Sequence, residues 1–172
     1  MGFKMPHITV IGGLVASGIA LLFQVIAVAA AGWIKQTNAD ITGGLWKYCI
    51  LNSCKDISSD LEADWLDATR AFALLGLFFI AGALAAGILI MVLDKKFLAL
   101  IAGAVALVAA LFVLISFAVF ADNRKVSFSE QMFKLSYCFA LSVVTFVLCI
   151  GSGASFILSN FLPGSSVASS TG

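Results

Sequence analysis

The sequence predicts an all-α membrane protein: a four-transmembrane helix bundle carrying a small extracellular antiparallel β-sheet. Three observations predict it. Apolar residues make up 62% of the 172-residue chain and charged residues only 11%, against roughly 45–50% and about 25% in soluble domains. Four stretches of 23 to 27 residues carry no Asp, Glu, Lys or Arg. The polar residues gather between the first two of these stretches, around a closely spaced cysteine pair.

The same composition excludes several functions. A formal net charge of +1 gives no basic surface for nucleic acid. The single histidine, His7, lies near the N-terminus, so Ser–His and Cys–His hydrolases and most metal centres lack their usual groups. No paired carboxylates, phosphate loop or nucleophile–base pair is visible. The chain reads as no enzyme, with no cofactor and no metal.

The charge-free runs are Ile8 to Ala31, Ala71 to Leu93, Phe97 to Ala121 and Leu135 to Phe161. Each exceeds the roughly 20 residues that a helix needs to cross about 30 Å of hydrocarbon. Helix is chosen over strand because each span must satisfy its own backbone in lipid. The spans are therefore set at about 8–31, 71–93, 97–121 and 135–161, within one membrane domain covering 1–162. The first run is read as a retained helix, since a signal h-region is only about 7–15 residues long. No span holds an acid or a base, which counts against proton relays and ion-coupled transport.

The connections differ in weight. Loops of about 32–70 and 122–134 lie on one side, and Asp94-Lys95-Lys96 makes a tight turn on the other. Residues 163–172 are an uncharged Ser/Gly tail, read as disordered and cytoplasmic. A count of Lys and Arg favours the opposite orientation. Lys4, Lys95 and Lys96 stand on the side of the termini, against Lys35, Lys47, Lys55, Arg70, Arg124, Lys125 and Lys134 on the side of the loops. The cysteine pair overrides that count, because a disulfide requires an oxidising compartment.

Cys49 and Cys54 flank Ile50-Leu51-Asn52-Ser53. They can close a β-hairpin as a disulfide, worth about 2 kcal/mol in the chain-entropy model; free thiols and a metal site are the alternatives. The spacing fits no zinc set. Cys138 and Cys149 fall inside the fourth span and read as small hydrophobes. Trp33 falls where the first helix leaves the bilayer, the place of an interfacial indole. Trp-Ile-Lys-Gln-Thr and Leu-Trp-Lys-Tyr-Cys alternate apolar and polar, as half-buried strands do. Ser58 to Asp67 reads as a short acidic helix running into Arg70, which either snorkels to the headgroups or pairs with Asp67. Small residues four apart, such as Gly13/Ser17, Gly82/Ala86, Ala83/Gly87 and Ala102/Ala106/Ala110, favour close helix approach. Gln24, the one amide well inside a span, is read as making an interhelical hydrogen bond.

Trp33, Gly44-Leu45-Trp46, Cys49 and Cys54 resemble the W–GLW–C–C signature of the first extracellular loop in the claudin and peripheral myelin protein superfamily. The short gap between the cysteines is similar to the branch holding the epithelial membrane proteins, peripheral myelin protein and the lens fibre intrinsic membrane protein. So are Asp64-Trp65-Leu66-Asp67-Ala68-Thr69-Arg70-Ala71-Phe72 at the loop's end and Ser136-Tyr137 opening the fourth helix. The four-span plan covers the whole chain, and the specific motifs cover about residues 33 to 72. The C-terminal Ser169-Ser170-Thr171-Gly172 lacks the hydrophobic last residue by which many claudins bind PDZ scaffolds.

The resemblance implies a left-handed four-helix bundle in the plasma membrane, with cytoplasmic termini and the sheet outside. It implies a structural protein of cell–cell contacts or membrane organisation. Its partners would be the lipid bilayer and further copies or related four-span proteins in cis and trans. Candidate intermolecular contacts are Ile50 and Leu51 between the cysteines, and Val126 and Phe128, which alternate in the second loop. A claudin-type paracellular barrier or pore is the alternative, with Asp40, Lys47, Lys55 and Asp56 as pathway charges. A third reading is an auxiliary subunit of a channel or receptor.

Overall fold

A computed structural model of the chain describes residues 8–36, 41–51, 53–57, 64–93, 96–127 and 133–161. The elements run α1 (Ile8–Ala29), β1 (Ile34–Gln36), β2 (Ile41–Gly43), β3 (Lys47–Ile50), β4 (Ser53–Asp56), α2 (Asp64–Leu93), α3 (Lys96–Ser127), β5 (Phe133–Leu135) and α4 (Tyr137–Phe161). All four helices are long and apolar enough to cross a membrane. The strands form one antiparallel sheet in the order β4-β3-β2-β1-β5.

Lipid offers no hydrophobic drive for helix association, so the bundle closes through small residues and hydrogen bonds. A Cβ on Gly13 of α1 would stand 2.8 Å from the Phe156 ring of α4, and one on Gly87 of α2 would meet the same ring at 2.9 Å. At Gly103 of α3 a Cβ would lie 3.1 Å from the carbonyl of Gly153 in α4. Ser17 and Ser152 join α1 to α4 at 2.6 Å, and Ser152 also donates to the carbonyl of Gly13 at 2.9 Å. Because Ser152 has only one proton, Ser17 is the donor in the first bond. Gln24 donates to the carbonyl of Ala73, tying α1 to α2. Of the two small-residue pairs in α2, Ala83 and Gly87 face the core while Gly82 is exposed.

Three element boundaries differ from the sequence expectation. From Asp64 onward the acidic stretch forms the first turns of α2; the part of that expectation at 58–63 lies outside the described residues. No Gly or Pro interrupts it, and Asp64 and Asp67 suit the positive end of the helix dipole. The third helix continues to Ser127, so Val126 lies on a helix and not on an alternating loop; Phe128 falls outside the described residues. Leu135 belongs to β5 rather than to the fourth span. This strand pairs with β1 at Ile34↔Leu135, Lys35↔Lys134 and Gln36↔Phe133, so the sheet draws on both loops. The tail at 163–172 lies outside the described residues.

The sheet and the bundle share a core of Val28, Trp33, Ile34, Leu45, Leu66, Ala73, Phe120 and Cys138. Trp33 is at its centre, fully buried, which corrects the reading of an interfacial indole. Its Nε1 donates to the carbonyl of Ala27 at 2.6 Å, and its ring lies 4.7 Å from that of Phe120. The sheet roofs this end of the bundle, so the indole turns inward and satisfies its one donor on a helix-end carbonyl.

Candidate functional site: the braced hairpin

The β2–β3 turn is the foot of the hairpin. Gly44 sits so close to the end of α1 that a Cβ there would stand 2.6 Å from the carbonyl of Ala30. Leu45 follows, fully buried in the shared core. Its carbonyl accepts a hydrogen bond from Nε of Arg70 at 2.7 Å. Arg70 also forms a 2.7 Å ion pair with Asp67, one turn earlier on α2. Its guanidinium lies 4.8 Å from the centre of the Trp46 ring. Arg70 is only 7% exposed. Of the two sequence readings, pairing describes it and snorkelling does not. The planar guanidinium serves a carbonyl, a carboxylate and an aromatic face at once, which an ammonium cannot.

From that foot, β3 and β4 run out as a two-stranded arm. The amide of Ile57 donates to the carbonyl of Trp46 at 3.0 Å, closing the base. The register is Lys47↔Asp56, Tyr48↔Lys55, Cys49↔Cys54 and Ile50↔Ser53. Cys49 and Cys54 are joined as a disulfide, so the arm is pinned covalently across its middle. Cys138 and Cys149 are free thiols buried in the bundle.

The tip turns at Leu51, which has φ of 45°. A left-handed backbone at a non-glycine residue costs roughly 1–2 kcal/mol. Leu51 is also 74% exposed, and Ile50 beside it is 42% exposed. Tyr48, Ile50, Leu51, Ser53 and Lys55 line a shallow hollow of about 390 Å³ on one side of the arm. Four strand residues at about 3.3 Å each carry the tip some 13 Å from its foot on the bundle.

The remaining sequence candidates divide between the arm itself and positions away from it or outside the described residues. Lys47 and Asp56 pair with each other at 3.8 Å, both largely exposed, while Lys55 lines the hollow. Asp40 and Phe128 lie outside the described residues, and Val126 is on the last turn of α3. Trp33, Gly44, Leu45, Trp46 and Arg70 do come together, as the brace under the arm. Among the described residues no group of three His, Cys, Asp or Glu side chains is placed to hold a metal ion.

Sequence reading missed the hydroxyls that stitch this end together. Ser116 of α3 donates to the carbonyl of Thr69 at 3.1 Å, beside Arg70. Thr69 itself is fully buried and donates to the carbonyl of Trp65. The signal available was a hydroxyl within an otherwise apolar run, which does not say whether it faces lipid, core or its own helix.

Residues 6–156 match the family model described as the PMP-22/EMP/MP20/Claudin family. No curated protein matches the chain. The chain belongs to the PMP-22/EMP/MP20/Claudin family.

Proposed function

From that membership, we propose that the chain is a structural, non-catalytic protein of cell–cell contacts, with the sheet outside the cell and both termini in the cytoplasm. The observation that carries this reading is Leu51: an apolar side chain, 74% exposed, held in a costly left-handed backbone at the end of a disulfide-pinned arm. Such strain persists only where the surroundings impose it, and it concentrates at functional positions. Ile50 and the hollow beside it complete the surface. The disulfide supports the outward orientation, because it needs an oxidising compartment.

The test is aggregation of otherwise non-adherent cells expressing the chain. Leu51→Ser combined with Ile50→Ser should abolish aggregation while surface expression is retained. Aggregation that persists unchanged in the double variant removes the reading.

The barrier alternative has one observation in its favour, the exposed charge of the arm. Since Lys47 and Asp56 offset each other, the charge left to influence a pathway there is Lys55. Ion permeability across a cell layer that responds to Lys55→Gln and not to Leu51→Ser would favour the barrier.

A further inference from the structure

The sheet crosses its strands with two charged rungs of opposite character. Lys47 faces Asp56, and the two form an ion pair. Lys35 faces Lys134 directly across β1 and β5, and both are exposed. Residues directly opposite in an antiparallel pair have Cβ atoms about 4.5–5.5 Å apart and point to the same face, so like charges there repel. Among the described residues no acid lies within ion-pair distance of either lysine.

The face they occupy follows from alternation along β1. Ile34 is buried in the shared core, so Lys35 projects from the opposite, outward side. Thr42 on β2 is the partner of Lys35 on its other flank, and therefore shares that side. One rung thus carries an ammonium, an ammonium and a hydroxyl on three adjacent strands spaced about 4.8 Å apart.

We propose that Lys35, Lys134 and Thr42 form a binding site for a tetrahedral oxyanion, a sulfate or phosphate group. One such anion between the two lysines converts a repulsive rung into a bridged one, and the Thr42 hydroxyl borders it on the other flank of Lys35. A tetrahedral oxyanion carries several oxygens about one centre and can meet two independently rotatable ammonium groups at once, because lysine acts as a point charge and imposes no planar geometry. The site is on the outward face of β1 and β5 and is independent of the hairpin tip.

The experiment uses the full chain in nanodiscs of zwitterionic phosphatidylcholine. Sodium sulfate is titrated against sodium chloride at matched ionic strength, and backbone amide resonances are followed. The expected result is saturable shifts confined to the neighbourhood of Lys35, Thr42 and Lys134 with sulfate alone. Lys35→Gln and Lys134→Gln should each weaken binding about fivefold, the upper end for losing one solvent-exposed charge contact. Lys47→Gln, which loses a lysine already paired with Asp56, should leave it unchanged. A second titration with a sulfated disaccharide separates the sources: tighter binding than inorganic sulfate supports an ester on a larger ligand, and equal or weaker binding supports the free anion. The site is refuted if shifts do not saturate, if chloride reproduces them, or if Lys47→Gln weakens binding as much as Lys35→Gln.

Discussion

Arg70 holds Leu45 by its backbone: the guanidinium Nε of the first, on α2, donates to the carbonyl of the second, in the β2–β3 turn, at 2.7 Å. The leucine side chain is meanwhile buried in the core that sheet and bundle share. Side chain and main chain of one residue are thus fixed from two directions. The arm that begins immediately after it inherits a rigid base. Arg70→Lys should loosen that base even though charge is kept, because the ammonium cannot reach carbonyl, carboxylate and indole together. We expect a loss of about 2 kcal/mol, the order of a buried acceptor left unpaired. Asp67→Asn should cost under about 1 kcal/mol, since the carboxylate is largely exposed and its pair is screened. Thermal unfolding of both variants in one detergent checks the ranking, and equal losses would contradict it.

Leu51 separates stability from contact. Leu51→Gly removes the penalty of φ at 45° and should stabilise the folded chain by up to about 1 kcal/mol. The same change deletes the exposed apolar group and should reduce cell aggregation. A variant that melts higher and adheres less is the expected pairing. One that melts lower would show that the left-handed turn is not strained.

The disulfide gives a test of both stability and the proposed orientation. Cys49→Ser with Cys54→Ser should cost about 2 kcal/mol on the chain-entropy account. In intact cells a membrane-impermeant maleimide should label the arm only after mild reduction, because Cys138 and Cys149 are buried. Labelling of Cys49 and Cys54 only once the cell is permeabilised would falsify the outward orientation.

Glycines in the spans should divide by what surrounds them. Gly103→Val would drive atoms into the Gly153 backbone and Ile157, and overpacking of this kind costs roughly 1–3 kcal/mol. Gly12→Ala and Gly151→Ala meet nothing within 4 Å and should stabilise their helices by about 0.5–1 kcal/mol. Refolding yield from mild denaturant across the three variants is the measurement.

The four spans were legible because their cause is local. A run of 23 or more uncharged apolar residues has to bury its own backbone bonds in lipid, and only a helix does so. The cysteine pair was legible for a similar reason: five residues apart, the two thiols meet across any hairpin that forms between them. The brace was half legible. Arg70 and Asp67 lie one helical turn apart, so their pairing could be read, whereas the carbonyl of Leu45 is 25 residues away.

By itself the amino-acid order determined what is local: four membrane-spanning helices, a polar loop with alternating strands, and a hairpin carrying Cys49 and Cys54. Only the tertiary structure decided that Trp33 points inward, that Phe133–Leu135 is a strand, and that Lys35 faces Lys134. These depend on residues about 100 positions apart meeting once the bundle closes. A three-residue strand beside an apolar run is too short to show a period of two, and an indole at a helix end reads the same whether a sheet or lipid covers it. Local pattern carries the period of an element, and the face it turns to its neighbours is set by contacts that do not exist until the chain has folded.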